Sequence, residues 1–372
     1  LFRQKIKSEM KTYKVIGIMS GSSMDGVDLA YCEFSQENGK WKYEIKESET
    51  IPYEDKWRVR LSQLRKQSTL VYVKTDVFYG HYLGQLVNSF CKKNNLKPDF
   101  ISSHGHTVFH YPEIKITAQV GDGASIAAIT GLPVVSDFRR YDVAKGGQGA
   151  PLVGIGDQLL FNEYDYCINL GGFANISGKD KNSNLTAFDI CACNILLNRV
   201  ARDMGYKYDE NGQIAEKGSI NFDLLSELNQ IEYYSLPYPK SLNRDWINQE
   251  FWHIVREYAD LENQDKMKTL VDHIAFQISN AIDNLAGNNG KGKKILVSGG
   301  SAYNTTLIEH LKSLTDAEII VPSNQIIDYK EALIFAFMGV LRIQNNANTL
   351  AEFTGASSNS VSGGLHGDFS QL

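Results

Sequence analysis

Ser20 to Gly26, SGSSMDG, is a stretch whose residue types could do chemistry. Small residues let the main chain approach a ligand, and successive amide N–H groups with the hydroxyls of Ser20, Ser22 and Ser23 can point at anionic oxygens. Asp25 and Asp28 add carboxylates where a hard, partly hydrated cation such as Mg2+ would offset phosphate charge. The ligand-free alternative is an Asx-rich turn serving only its own backbone. Two more glycine turns follow: NLGGFANIS (Asn169 to Ser177), with Gly171, Gly172 and Asn175, and SGGSAYN (Ser298 to Asn304), with Gly299 and Gly300. The last sits between an apolar run and a helical pattern, so its amides and the helix dipole could face a ribose or phosphate. Taken together, the three turns point to a nucleotide. Competing motifs fail: GNNGKGK (Gly287 to Lys293) is followed by Lys294 where a P-loop has Ser or Thr, and no G-x-G-x-x-G follows a strand.

Phosphoryl transfer also needs a placed acceptor and often a carboxylate to take its proton. Asp189 in TAFDICACN has apolar and small neighbours that could raise its pKa toward a general-base range. Equally, it could be an N-terminal Asp satisfying the free amides of a helix over Ile195 to Met204. SHGHTVFHYP carries His104, His106 and His110, which on a regular strand would share one face. Substrate contact, structural histidines and a zinc site are all open there. SDFRRYDVAKGGQGAP gathers Asp137, Arg139, Arg140, Asp142 and Lys145, either to clamp a carboxylate-bearing sugar or as surface charge pairing.

The elements that must position these residues read as alternating strands and helices. Tyr13–Met19 and Val27–Phe34 flank the first turn as a hairpin, and Tyr164–Leu170 with Asn175–Ser177 repeat the design, which predicts a duplicated lobe. Lys293–Val297, SGGSAYN and TLIEHLKSL read as strand, turn and helix. Phe100–Ser103, Val134–Ser136 and Glu318–Pro322 read as strands, and Thr75–Asn95, Asn248–Leu261, Lys266–Leu285 and Lys330–Gln344 as helices. The class is α/β. A chain of 372 residues exceeds one ordinary core. The expected lobes are 10–137 with about 345–372, and 138–344, with KGGQGAP as the crossing. Residues 1–9 are expected to be an extension outside the core.

A formal charge of -5 with dispersed lysines argues against a nucleic-acid partner. No apolar run approaches membrane-spanning length, and the charged start lacks a signal-peptide core. Five cysteines without a CxxC pair favour a reducing compartment over a disulfide framework.

GIMSGSSMDGVD, SHGHTVFHYP, SDFRRYDVAKGGQGAPLV, NLGGFANIS, YDENGQIAEKG, YPKSLNR, VSGGSAYN and FTGASSNSVSGG occur in an order that resembles the anhydro-N-acetylmuramic acid kinases, from Val15 to Gly364. The resemblance implies an actin-like (ribonuclease H-like) ATPase fold of two lobes with a nucleotide cleft between them. It also implies a cytoplasmic kinase using ATP and Mg2+, in which water opens a 1,6-anhydro ring and ATP phosphorylates the 6-oxygen. The product would be N-acetylmuramic acid 6-phosphate, in cell-wall sugar recycling. It assigns ATP to Gly21, Ser22, Ser23, Met24, Asp25, Gly26, Val27, Asp28, Gly171, Gly172, Asn175, Gly299 and Gly300. The metal falls to Asp25, the sugar to His104, Arg139, Asn194 and Glu331, and the role of base to Asp189. A homodimer is expected. The family usually has D-T-G-P-G-N where this chain has Asp189–Asn194 (DICACN), glutamine at His106, threonine at Ser22 and glycine at Asn243. Side chains at 191 and 193 would enter space that bare backbone leaves to a ligand. A kinase of the same fold for another sugar, and a non-catalytic ATP-binding module, are the alternatives.

Overall fold

The computed structural model describes residues 11–21, 24–238 and 240–372, without the side chain of Arg244. Ser22 and Ser23, expected to contact ATP, and residues 1–9, expected to be an extension, therefore lie outside the described residues. In chain order the strands are β1 (Thr12–Ser20), β2 (Gly26–Glu37), β3 (Lys40–Pro52), β4 (Phe100–Tyr111), β5 (Ile116–Val120) and β6 (Val134–Ser136). They continue as β7 (Tyr166–Leu170), β8 (Phe173–Lys179), β9 (Leu185–Ala192), β10 (Lys294–Ser298), β11 (Glu318–Ile320) and β12 (Gly364–His366). One sheet has the order β12-β6-β4-β1-β2-β3, with β5 attached to β4, and the other has β11-β10-β7-β8-β9.

Both sheets follow one plan. A central strand, β1 or β7, pairs antiparallel with the next, which pairs antiparallel with a third. On its other side a later strand, β4 or β10, adds in parallel, and β6 or β11 extends that edge in parallel. This 3-2-1-4-5 order, used twice, is the ribonuclease H-like plan of actin-like proteins. Two compact units result, residues 1–160 with 329–372, and residues 161–328.

The expected limits at 137/138 and 344/345 fall inside the first unit, as does the KGGQGAP segment read as a crossing. That segment is laced to the C-terminal part of the same unit. Gln148 N–H donates to Thr354 O at 2.7 Å, and Lys145 Nζ donates to Ser358 O and Asn359 O.

Local chemistry explains the elements. β1 is apolar from Val15 to Met19, where both faces are covered. Ile16 and Ile18 pack with Tyr79, Leu83, Val87 and Phe90 of the helix Thr69–Asn94, whose Ser68 caps Val71 N–H and whose Asn95 turns left-handed at φ 53°. On the opposite face Gly17 lies against the helix Asn324–Ile343, where a Cβ would stand 2.0 Å from Ala332 O. In the second unit Ile168, Leu170 and Ile176 pack with Leu270, Ile274 and Ile278 of the helix Asn263–Ala286. No helix among the described residues is long and apolar enough to cross a membrane.

β3 was not expected. Its first half alternates, with Trp41, Tyr43 and Ile45 turned inward between charged residues, but the run from Lys46 to Thr50 is polar and masks the pattern. The hairpin turn makes it: Asn38 and Gly39 both have positive φ, 52° and 80°, the pairing that a two-residue turn between twisted strands demands.

Gly17→Ala is expected to lower the stability of the first unit by about 3 kcal/mol, the upper end of overpacking costs, because the clash is with helix backbone and not a movable side chain. A urea denaturation midpoint indistinguishable from the parent would contradict this packing.

Candidate active site

The first glycine turn joins β1 to β2. Met24 has φ 57°, its N–H donates to Gly21 O at 3.3 Å, and the Asp25 side chain is exposed. A Cβ on Gly26 would meet Ile51 O at 2.4 Å, so close pairing with β3 excludes any other residue. Val27 turns its side chain into the core. Asp28 accepts from Thr50 Oγ1 at 2.6 Å. The Ser20 hydroxyl, expected to face an anion, points inward instead: it is buried and engaged by Tyr53 OH and His106 Nδ1.

The histidines do not share a face. β1 pairs with β4 at Ile18↔Ser103 and next at Ser20↔His106, so β4 carries one extra residue, and Gly105 at φ 72° absorbs it. This bulge inverts the alternation. His104 meets Phe335 of the helix Asn324–Ile343, while His106 meets Ser20 and, across the sheet, Tyr79 of the helix Thr69–Asn94. A metal shared by those two is thereby excluded. His110 bonds Thr117 Oγ1 at 3.1 Å.

His104 accepts from Arg139 Nε at 2.8 Å, and Arg139 also donates to Gly149 O. Burial depresses the guanidinium to about 10, opposed by Glu331 and Asp142, while enclosure pushes the Glu331 carboxyl up against the pull of Arg139. His104, Arg139 and Glu331 thus form one electrostatic group in the first unit. The remaining charges of the arginine-rich stretch serve structure. Asp142 is buried and accepts from Thr354 Oγ1 and Gly149 N–H, Lys145 holds residues 358–359, and Arg140 pairs with Asp137 at 3.3 Å.

In the second unit the other two glycine turns meet. Gly171–Gly172 connects β7 to β8, and its carbonyls accept from Asn194 and Cys193 N–H at 3.1 and 2.9 Å. Gly299, at φ 86°, would bring a Cβ 2.4 Å from Asn169 Oδ1. Asn194 links the turns, donating Nδ2 to Leu170 O at 3.2 Å and accepting from Ser301 Oγ. Gly172 is exposed, and among the described residues no atom beyond its chain neighbours lies within 4 Å of where its Cβ would be. The protein itself does not require glycine there, and a bare, open backbone fits a phosphate or ribose.

Asp189 is inside β9, five residues before the helix Asn194–Asp203, which excludes the helix-capping alternative. Across the sheet Ser298, Asn169, Asn175 and Asp189 are register partners in one row. A register shift between Ala174 and Asn175 sets Asp189 opposite Asn175. Its Oδ2 accepts from Leu242 N–H at 2.9 Å, its N–H donates to Lys240 O, and its carbonyl accepts from Tyr233 OH at 2.6 Å. Burial raises its pKa, and the Leu242 N–H counteracts in part. Lys240 caps the cluster, Nζ 2.9 Å from Tyr233 O and 4.6 Å from the centre of that ring. Sequence reasoning missed Tyr233, Lys240 and Leu242 as the setting of Asp189. The signal for Lys240 and Leu242 was YPKSLNR, a polar string with no evident chemistry of its own, and Tyr233 lies outside it.

The departures over Asp189–Asn194 are absorbed by the core. Cys191, Ala192 and Cys193 are fully buried in the apolar cluster of the second unit, so their side chains do not enter ligand space. Of the expected site residues, the structure brings together Gly171, Gly172, Asn194, Gly299 and Gly300 in the second unit, with Asn175 and Asp189 on the same sheet. It groups His104, Arg139 and Glu331 in the first. No cluster of three or more metal-ligating side chains occurs among the described residues.

Two sheets of ribonuclease H-like order with glycine turns at their strand ends define an α/β protein of the actin-like class. The family model for anhydro-N-acetylmuramic acid kinase matches residues 13–367. A Haemophilus influenzae protein named anhydro-N-acetylmuramic acid kinase is 34% identical over 375 residues, covering 94% of this chain and 96% of that one. A Sulfurovum protein of the same name is 34% identical over 96% of this chain and all of its own. The chain belongs to the anhydro-N-acetylmuramic acid kinase family. Among solved structures, a xylulose kinase from Lactobacillus acidophilus is similar over 96% of this chain and 94% of its own, with 10% identity and a TM-score of 0.41.

A carboxyl whose pKa rises on folding favours the folded state fully below its unfolded value of 3.8, and that contribution is lost as pH climbs through the raised value. At neutral pH the ionised Asp189 therefore costs stability. Asp189→Asn keeps an oxygen for Leu242 N–H and is expected to raise Tm at pH 7 by about 1–3 °C, a gap that narrows toward pH 4. Scanning calorimetry showing a lower Tm for the variant would contradict the desolvated setting.

Proposed function

We propose that the protein uses ATP to convert 1,6-anhydro-N-acetylmuramic acid to N-acetylmuramic acid 6-phosphate in the recycling of cell-wall sugars. The observation that carries this is Asp189: a carboxyl of raised pKa, held by one amide, on the sheet whose strand ends bear two linked glycine turns. As general base it takes a proton from water attacking the anomeric carbon, the bond from that carbon to O6 breaks, and O6 receives the γ-phosphoryl group while ADP leaves. Gly171, Gly172, Gly299 and Gly300 offer backbone to the nucleotide, with Asn175 beside them. Gly21 to Asp28 offers a further turn, where Mg2+ at Asp25 would neutralise phosphate charge.

Within the first unit His104, Arg139 and Glu331 offer groups to the sugar, and within the second unit Asn194 offers its amide. Arg139 suits the sugar's carboxylate, because bonds to His104 and Gly149 fix the guanidinium before any ligand arrives. The protein acts in the cytoplasm, as a homodimer, without nucleic-acid or membrane partners.

With purified protein, Mg-ATP and the anhydro-sugar, ADP release is expected to exceed that with ordinary N-acetylmuramic acid or simple hexoses. Preference for another acceptor would displace the substrate assignment, and nucleotide binding without acceptor-stimulated turnover would favour a binding module. Asp189→Asn should lower kcat by about 100- to 10,000-fold with nucleotide affinity retained. In the parent protein the acid limb of kcat/KM should lie above 3.8, since only the ionised carboxylate accepts a proton. An unchanged variant, or an acid limb at or below that value, would remove Asp189 from the role of base.

A further inference from the structure

Tyr53 touches both flanks of the first glycine turn. Its hydroxyl lies 2.5 Å from Ser20 Oγ, the last residue of β1, and its N–H donates to Asp25 O at 3.2 Å, just before β2 begins. The stretch assigned to phosphate, Gly21 to Asp28, begins between Ser20 and Asp25, and Tyr53 lies just beyond β3, whose Thr50 and Ile51 also meet that stretch at Asp28 and Gly26. Behind it the polar groups form a closed chain. Tyr79 OH bonds Tyr53 OH, Tyr53 OH bonds Ser20 Oγ, and Ser20 Oγ lies 2.9 Å from His106 Nδ1.

Each of these four residues is less than a tenth exposed. Burial holds His106 down to about 4, so the ring is neutral at physiological pH and can accept. The proton order Tyr79 to Tyr53 to Ser20 to His106 then gives every hydroxyl an acceptor. Buried polar groups satisfied in this way rigidify what they touch, and a broken member leaves its neighbour unsatisfied. The Gly105 bulge matters here, because without the extra residue His106 would not face Ser20.

We infer that Tyr53, backed by Ser20, His106 and Tyr79, is a positioning residue that sets the spacing of the phosphate turn and thereby the enzyme's affinity for the nucleotide. The inference rests on the assignment of that turn to ATP. A glutamine at position 106 could also accept from Ser20, whereas an apolar side chain cannot.

Calorimetric titration of the full chain with Mg-ADP, beside steady-state kinetics with Mg-ATP, tests it. Tyr53→Phe is expected to weaken Mg-ADP binding and raise KM for ATP about tenfold, with kcat and the KM for sugar nearly unchanged. His106→Leu should do the same, and His106→Gln should restore parent values. A stability loss alone would lower the active fraction and kcat without this selective effect on nucleotide affinity. If the parent binds Mg-ADP and Tyr53→Phe binds it equally well, or if His106→Gln behaves like His106→Leu, the inference falls while the kinase reading stands. If the parent itself binds no nucleotide, both fall together.

Discussion

A carboxyl taken partly out of water and given a single amide is the constraint around which the second unit is arranged. Among the described residues the Asp189 side chain accepts from the Leu242 N–H, and burial outweighs that bond, so its pKa rises. A second N–H donor would pull it back toward an ordinary aspartate, a weaker base than the proposed role asks for. Full enclosure would leave it protonated. The backbone around Asp189 is therefore anchored more firmly than the side chain, through Tyr233 and Lys240, which fixes position while leaving proton affinity high.

The same economy appears at the glycine turns. Gly299 and Gly26 are glycine because the protein's own atoms leave no room, whereas Gly172 faces open space. Only the latter kind points to something outside the chain. Asn194 ties the two turns of the second unit together, so main-chain groups distant in sequence hold a fixed relation before any ligand arrives. In the first unit β3 and the end of β1 perform a comparable service around the SGSSMDG turn.

The duplicated hairpins, the α/β class and the helix and strand around SGGSAYN were legible because apolar periodicity and glycine placement are local signals. Asp189 was legible as a residue type in an apolar setting. What escaped was non-local. The polar strand β3 exists because β2 offers it hydrogen bonds and Asn38–Gly39 turns it. The parity of His104 and His106 depends on one inserted residue against β1. The boundaries moved because Asp142, Thr354 and Lys145 bind a glycine-rich stretch to the chain's C-terminal segment.

By itself the sequence determined the kinds of groups available: bare backbone at three turns, a carboxylate among apolar residues, an arginine beside histidines, and their order along a recognisable family pattern. Tertiary structure decided which way each side chain points. Ser20 went inward to a tyrosine and a histidine, Cys191 and Cys193 into the core, and Asp142 and Lys145 to loop anchoring. The physical reason is that orientation follows from strand register and bulges. A one-residue shift turns a side chain to the other face of its sheet, and only the partner strand records it.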